Sequence, residues 1–362
     1  MTTNTKNDAK VTPYAGLKAS CRHITSRDSS SDKIQFAVGT AIVGKSNQIQ
    51  IIEYDDIQES IRCIQTLDHD DEVWWIECHP TELNLLFTIS ANSKSNSKAT
   101  TLFKVPPQDS LATALGSTEH QQLEILSVFK TDDPVSTRVK FLPPDSKKCL
   151  ISCKTSLNIF DVENPDKSIH TINEEEGLLS ASAIDPIHPD VVAGCVGGNI
   201  KLWDFRSGEV TYHIEDAHDT TALDIAFNES KPFWMCTGGN DGFLRCWDVR
   251  ANKPKCEFRA SSHWVTRTVP SVSHDQLILT SGTDSKVRVF NSSQFAFQNE
   301  GHLPDGEIIK SIRHDDSVYC VSWSLNNPWV FASVSYKGQV NVCQLPSQVV
   351  DSILMGDDLV SD

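Results

Sequence analysis

The segment from His218 to Arg250, HDTTALDIAFNESKPFWMCTGGNDGFLRCWDVR, leaves the chain few ways to fold. Apolar residues alternate with polar ones in LDIAF, 223 to 227, and again in FWMCTG, 233 to 238, and FLRCWDV follows directly on the turn NDG. A period of two marks strands with one packed face. Asn240, Asp241 and Gly242 are the residue types that tolerate a tight turn. Three short antiparallel strands ending on Trp247-Asp248 cannot bury their faces alone, so the unit must stack against copies of itself.

Such copies recur along the chain. From Phe160 to Trp203 is 43 residues, from Trp203 to Trp247 is 44, and from Trp247 to Phe290 is 43. This is the period of a WD repeat, one four-stranded propeller blade per copy. Tyr54, Phe103 and Cys343 occupy the equivalent position at wider spacings, which makes seven positions. The expected fold is all-β, a seven-bladed WD40 propeller over 14–355, with blades near 14–67, 69–129, 131–172, 174–216, 218–260, 263–313 and 314–355. YAGLKASCR would be the first strand of the first blade, and EIIKSIR, 307 to 313, the outer strand of the sixth. Either VVDSILM, 349 to 355, or the amino-terminal YAGLKAS would supply the last outer strand and so close the ring. The polar residues 1–13 and the acidic residues 356–362 are expected as disordered tails, and the loops 91–100 and 106–122 as mobile insertions.

Within the repeat, His218, Thr237, Asp241 and Trp247 are expected to join loop, second strand, turn and third strand by side-chain hydrogen bonds. That assigns them to structure. No Gly-rich phosphate loop, nucleophile elbow or paired His motif is present, so no catalytic residue, cofactor or enzyme activity is expected. The eleven Cys are scattered, and none has the spacing of a zinc site; they read as reduced thiols, with no bound metal.

Function is then expected at a surface. The 32 Lys and Arg against 48 Asp and Glu give a net charge of −16, which disfavours nucleic acid and anionic membranes and favours a basic protein partner. Acids precede the first strand of successive blades: Asp70, Asp71 and Glu72; Asp132 and Asp133; Glu174, Glu175 and Glu176; Asp219; Asp315 and Asp316. These loops share one face of a propeller, where the acids would merge into a ring. Trp74, Trp75, Arg138, Trp264 and Tyr319 start first strands and are candidate anchors at the channel mouth, with alternation sending only some of them inward. Arg267 accompanies them. The endings Trp203-Asp204-Phe205-Arg206 and Trp247-Asp248-Val249-Arg250 resemble the paired motif by which WD-repeat substrate receptors dock on the adaptor of cullin-type ubiquitin ligases, so Arg206 and Arg250 are candidates for that contact.

Longer stretches resemble one family, the EARP-interacting proteins: SSHWV (261 to 265), SHDQLILTSGTDSKV (273 to 287), HDDSVYCVSWSLNNPWVFASVSYKGQV (314 to 340), WDFRSGEVTYHIEDAH and GGNDGFLRCWDVR. IQFAVGT, NQIQIIEYDD and EVWWIECHP extend the likeness to the first two blades. The segment 291–313 is short where that family can carry a long acidic insertion, and Lys337 stands where a turn Asp is expected. The resemblance implies a non-enzymatic adaptor for subunits of the EARP and GARP vesicle-tethering complexes, and the chain is expected to be monomeric. It would be cytoplasmic, peripheral to the trans-Golgi network and endosomes, and would act in recycling, retrograde transport and dense-core vesicle sorting. Contact with membrane would be indirect, since no lipid-anchor motif or basic amphipathic helix is visible.

Overall fold

A computed structural model describes residues 10–354, except 18, 28–32, 93–96, 108–119, 252 and 296–305. The chain forms seven sheets, one per blade and antiparallel but for one short parallel edge strand in the first, and is a β-propeller. The innermost strands are β2 (Cys21–Arg27), β6 (Glu72–Cys78), β11 (Ser136–Phe141), β15 (Leu179–Ile184), β19 (Ala222–Phe227), β23 (Val265–Pro270) and β27 (Val318–Trp323). Each neighbours the next, and β27 returns to β2, so the sheets surround a central channel.

Seven apolar clusters hold the ring together, and each spans the junction of two adjacent blades. The residue in the Trp position always packs against the preceding blade. Trp247 joins the cluster of blades four and five, Trp203 that of three and four, and Phe290 that of five and six. The site therefore demands bulk more than an indole, which is why Tyr54, Phe103 and Phe160 serve in blades one to three. Cys343 is small, and Trp323, Leu345 and Ile353 complete the volume around it.

Closure is by the amino terminus. β1 (Lys10–Tyr14) lies antiparallel to β29 (Val340–Gln344), with Val11 opposite Cys343, as the outer strand of blade seven. Residues 10–13 are thus strand rather than disordered tail, and 1–9 lie outside the described residues. VVDSILM belongs mostly to the helix α1 (Ser347–Leu354), because Val349 and Ile353, four apart, share a face that packs on blades six and seven. Its last residue, 355, and the acidic tail 356–362 lie outside the described residues. YAGLKASCR is likewise no inner strand; β2 begins only at Cys21.

Two insertions are partly built into the sheets. Residues 93–96 and 108–119 lie outside the described residues, but Lys98 already belongs to β8 (Lys98–Lys104). β9 (His120–Gln122) pairs in parallel with β5 (Ser60–His69), where His120 Nδ1 and Gln122 Nε2 meet the Asp68 carboxylate at 2.6 and 2.7 Å.

Candidate functional site

The His218 network ties the two loops of one face together. His218 Nε2 meets Thr237 Oγ1 at 2.8 Å, Trp247 Nε1 donates to the same hydroxyl at 2.9 Å, and His218 Nδ1 lies 3.0 Å from Asp241 Oδ1. All four side chains are thereby spent on the fold. Arg245 adds a further contact, donating to Asp241 Oδ2 at 2.6 Å and to Glu257 at 2.5 Å. Donation from His218 and Arg245 holds the Asp241 carboxyl far below the usual carboxylate range, although its burial alone would raise it. The other blades vary the theme. Ser261, not His263, holds the first position in blade six, and His314 with Ser333 (2.9 Å) keeps the network in blade seven although Lys337 replaces the turn Asp.

These bonds place the loops before the first strands on one face, and the acidic residues divide there. Asp133 accepts from the Val135 and Thr155 amides and the Thr155 hydroxyl, so it caps its loop. Glu174 is buried against Lys201 (2.9 Å), which also binds Glu176 at 2.5 Å. Asp315 accepts from Ser335, and Asp316 from the Ser317 amide. Asp71 and Glu72 are half-buried, while Asp70, Asp132, Glu175 and Asp219 are exposed. The ring of the sequence reading is thus a partial rim, since Glu174 has left the surface and several other acids are occupied.

The channel is where alternation fails. In all seven inner strands the register slips near the start, at the second residue or, in β6, the third: at Val73/Trp75, Ser136/Arg138, Ala222/Asp224 and the matching places in the other four. A β-bulge there inserts one residue and turns two consecutive side chains toward the axis. Two layers result.

The outer layer holds Trp74 and Tyr319, with Arg22, which the sequence reading missed. The Arg22 guanidinium lies 3.8 Å from the Trp74 ring centre and 5.2 and 5.4 Å from those of Tyr319 and Tyr336. Lys98 Nζ covers Trp74 at 3.2 Å. Burial, with Arg22 and Lys154 nearby, pulls the Lys98 ammonium down to about 8. Trp264 stands apart from this group, 47% exposed and stacked on His263 at 5.1 Å.

The inner layer holds Trp75 and Arg138, not at the mouth but across the channel. Arg138 and Arg267 both bind the Asp224 carboxylate, Arg267 at 3.1 Å, and the Thr268 amide donates to it at 2.6 Å. Both guanidinium groups sit about 5 Å from the Trp75 ring centre, and His23 packs on Trp75 at 4.0 Å. Asp224 is fully buried, and the two arginines and Thr268 hold its carboxyl below its ordinary range against the opposing pull of burial. The signal for it was legible: a lone acid inside the apolar strand ALDIAF.

Arg206 and Arg250 occupy the opposite face, beyond the third strands. Arg206 pairs loosely with Asp190 and Asp204, both at 3.5 Å, and Arg250 binds Asp248 at 2.8 Å; their side chains are 74% and 59% exposed. Phe233 lies beneath Arg250 and stacks on His188.

Among the described residues no group of three or more His, Cys, Asp or Glu is placed to hold a metal, and no helix is long and apolar enough to cross a membrane. The family model for the EIPR1 beta-propeller matches residues 12–290, and that of the WD domain, G-beta repeat, matches 306–343. The chain belongs to the EIPR1 beta-propeller family. It is similar to the human EARP and GARP complex-interacting protein 1, 29% identical over 97% of this chain and 100% of its own length. EARP-interacting protein 1 of Caenorhabditis elegans is 28% identical over 90% of this chain and 94% of its own. The WD repeat-containing protein DWA2 of Arabidopsis thaliana is also similar, at 24% over the same shares. The propeller fold and the relatives named for EARP and GARP interaction support an interaction role of the adaptor type for this chain.

Proposed function

We propose that this chain is a non-enzymatic adaptor for multisubunit vesicle-tethering complexes of the EARP and GARP kind. It would work at endosomes and the trans-Golgi network, in recycling, retrograde transport and dense-core vesicle cargo sorting. The observation that carries the reading is the outer channel layer. Trp74, Tyr319 and Tyr336 gather around Arg22 and Lys98 inside a rim of exposed acids, and aromatic and Arg groups of this kind anchor protein interfaces. A tether subunit would present an acidic or aromatic residue to the mouth and basic residues to Asp70, Asp132 and Asp219. Any membrane contact would come through the tether.

Affinity purification of the tagged protein with mass spectrometry tests this at two salt concentrations. Tether subunits should co-purify at low salt, fade at high salt, and be lost with Trp74→Ala. Their retention by the Trp74→Ala protein would rule out the mouth as the contact.

A second reading, a substrate receptor of a cullin-type ubiquitin ligase, is favoured by one observation: Arg206 and Arg250 are exposed side by side in consecutive blades on the face away from the mouth. Recovery of a cullin adaptor by the wild type, but not by an Arg206→Ala, Arg250→Ala double variant, would support it.

A further inference from the structure

Below the inner layer the channel widens into a cavity of about 550 Å³ that opens on the face opposite the mouth. That volume falls inside the range of about 300 to 1,000 Å³ usual for ligand pockets. Its walls are apolar, formed by Phe141, Pro143, Ile184, Phe227, Val269 and Pro270 from four blades. Its blind end is polar, with Arg138, Arg267, Glu77 and the hydroxyls of Ser152 and Ser182.

The blind end is short of acceptors. Arg138 and Arg267 share the single carboxylate of Asp224, which also accepts from Thr268. Among the described residues the other hydrogen-bond acceptors of Arg138 are the Ser182 and Leu223 carbonyls, at 3.5 and 3.4 Å. Arg267 Nε and Trp75 Nε1 are buried without a partner. Native interiors rarely leave such donors unpaired, and at a pocket floor they mark the place of a missing acceptor. Glu77, on the same wall, has no salt bridge among the described residues, and burial raises its carboxyl above the ordinary value against the pull of Lys140 and Arg267.

We infer that this cavity is a carboxylate-binding site, in which a slender apolar group carrying a terminal carboxylate enters from the face opposite the mouth and is held by Arg138 and Arg267. Planar guanidinium groups match a carboxylate in two-point contact, and the proline-lined walls suit the aliphatic stem behind it. The carboxylate can be borne by a partner's acidic chain end or by a small free acid. The inference is independent of the mouth and of the tether reading.

Calorimetric titration of the full-length protein decides it, with three probes: the peptide N-acetyl-Ala-Leu-Glu with a free terminus, its counterpart N-acetyl-Ala-Leu-Gln-amide, and glutarate. At least one of the two acids should bind and the amide should not. Arg267→Gln should weaken that binding about tenfold, the loss of one charge-assisted contact. Should Arg267→Gln fail to fold, Val269→Trp, which blocks the wall and spares the floor, should do the same. Preference for the peptide acid points to a chain end, and equal binding of glutarate to a free acid. Equal binding of acid and amide, no binding of either acid, or unchanged binding by the Val269→Trp protein would overturn the assignment.

Discussion

Val11 lies directly opposite Cys343 in an antiparallel ladder, so residues from the two ends of the chain complete a single blade. Tyr14, at the end of that strand, donates to Gln50 Oε1 of blade one at 2.7 Å and fastens the closure to the neighbouring sheet. A chain beginning at residue 15 leaves the edge of β29 bare. With ladder bonds worth about 1 kcal/mol net each, it should lose about 2–4 kcal/mol. Urea unfolding should register the loss; an unchanged midpoint would mean the closing strand is dispensable.

Asp224 is the only carboxylate held by two buried guanidinium groups among the described residues. Replacing it with Ala strands both charges inside the channel, which should cost about 3–5 kcal/mol. Arg138→Met together with Asp224→Ala should restore part of this. Thermal unfolding of the single and double variants measures the coupling, and purely additive losses would argue against a linked triad.

Acid should weaken the fold before any surface group matters. Burial pulls His314 down to about 4, and lowers His23, His69 and His79 as well. The unfolded chain binds protons near the ordinary histidine value of about 6.5 while the native chain does not, so stability is full above that value and falls as pH drops toward 4. His314→Gln, which keeps a partner for Ser333, should flatten this slope. Parallel pH profiles of the two proteins would mean that His314 takes up its proton without opening the fold.

Charge reversal of the rim should act on rate. Asp70→Lys, Asp132→Lys and Asp219→Lys together remove exposed charges, and should slow association with a basic partner several-fold at low salt and little at high salt. Asp315→Lys and Asp316→Lys should also slow association, but with a fall in melting temperature, because these two accept hydrogen bonds from Ser335 and Ser317. Stopped-flow association at two ionic strengths separates the cases, and a salt-independent rate in every variant would dismiss steering.

Arg206→Ala with Arg250→Ala should change stability by less than about 1 kcal/mol, since exposed ion pairs contribute little. A larger loss in chemical unfolding would mean that the Arg250 packing on Phe233 supports the fold.

The sequence alone determined the repeat. Period-two strands, turn residues such as Asn240 to Gly242 and the spacing of Trp203, Trp247 and Phe290 are local or evenly repeated signals, and they sufficed for a seven-bladed propeller. The family likeness was legible for the same reason, in unbroken stretches of chain.

What joins residues far apart in sequence was decided by the tertiary structure. Residues 10–13, read from the sequence as the end of a polar tail, became strand because β29 offered an unpaired edge. Trp74 and Trp75 both turned inward because a bulge breaks the alternation that sequence spacing assumes, and a bulge exists only in pairing with a second strand. Glu174 left the acidic rim because Lys201 meets it inside the sheet. Arg138, Asp224 and Arg267 come from three different blades, and only closure of the ring brings their charges to one point.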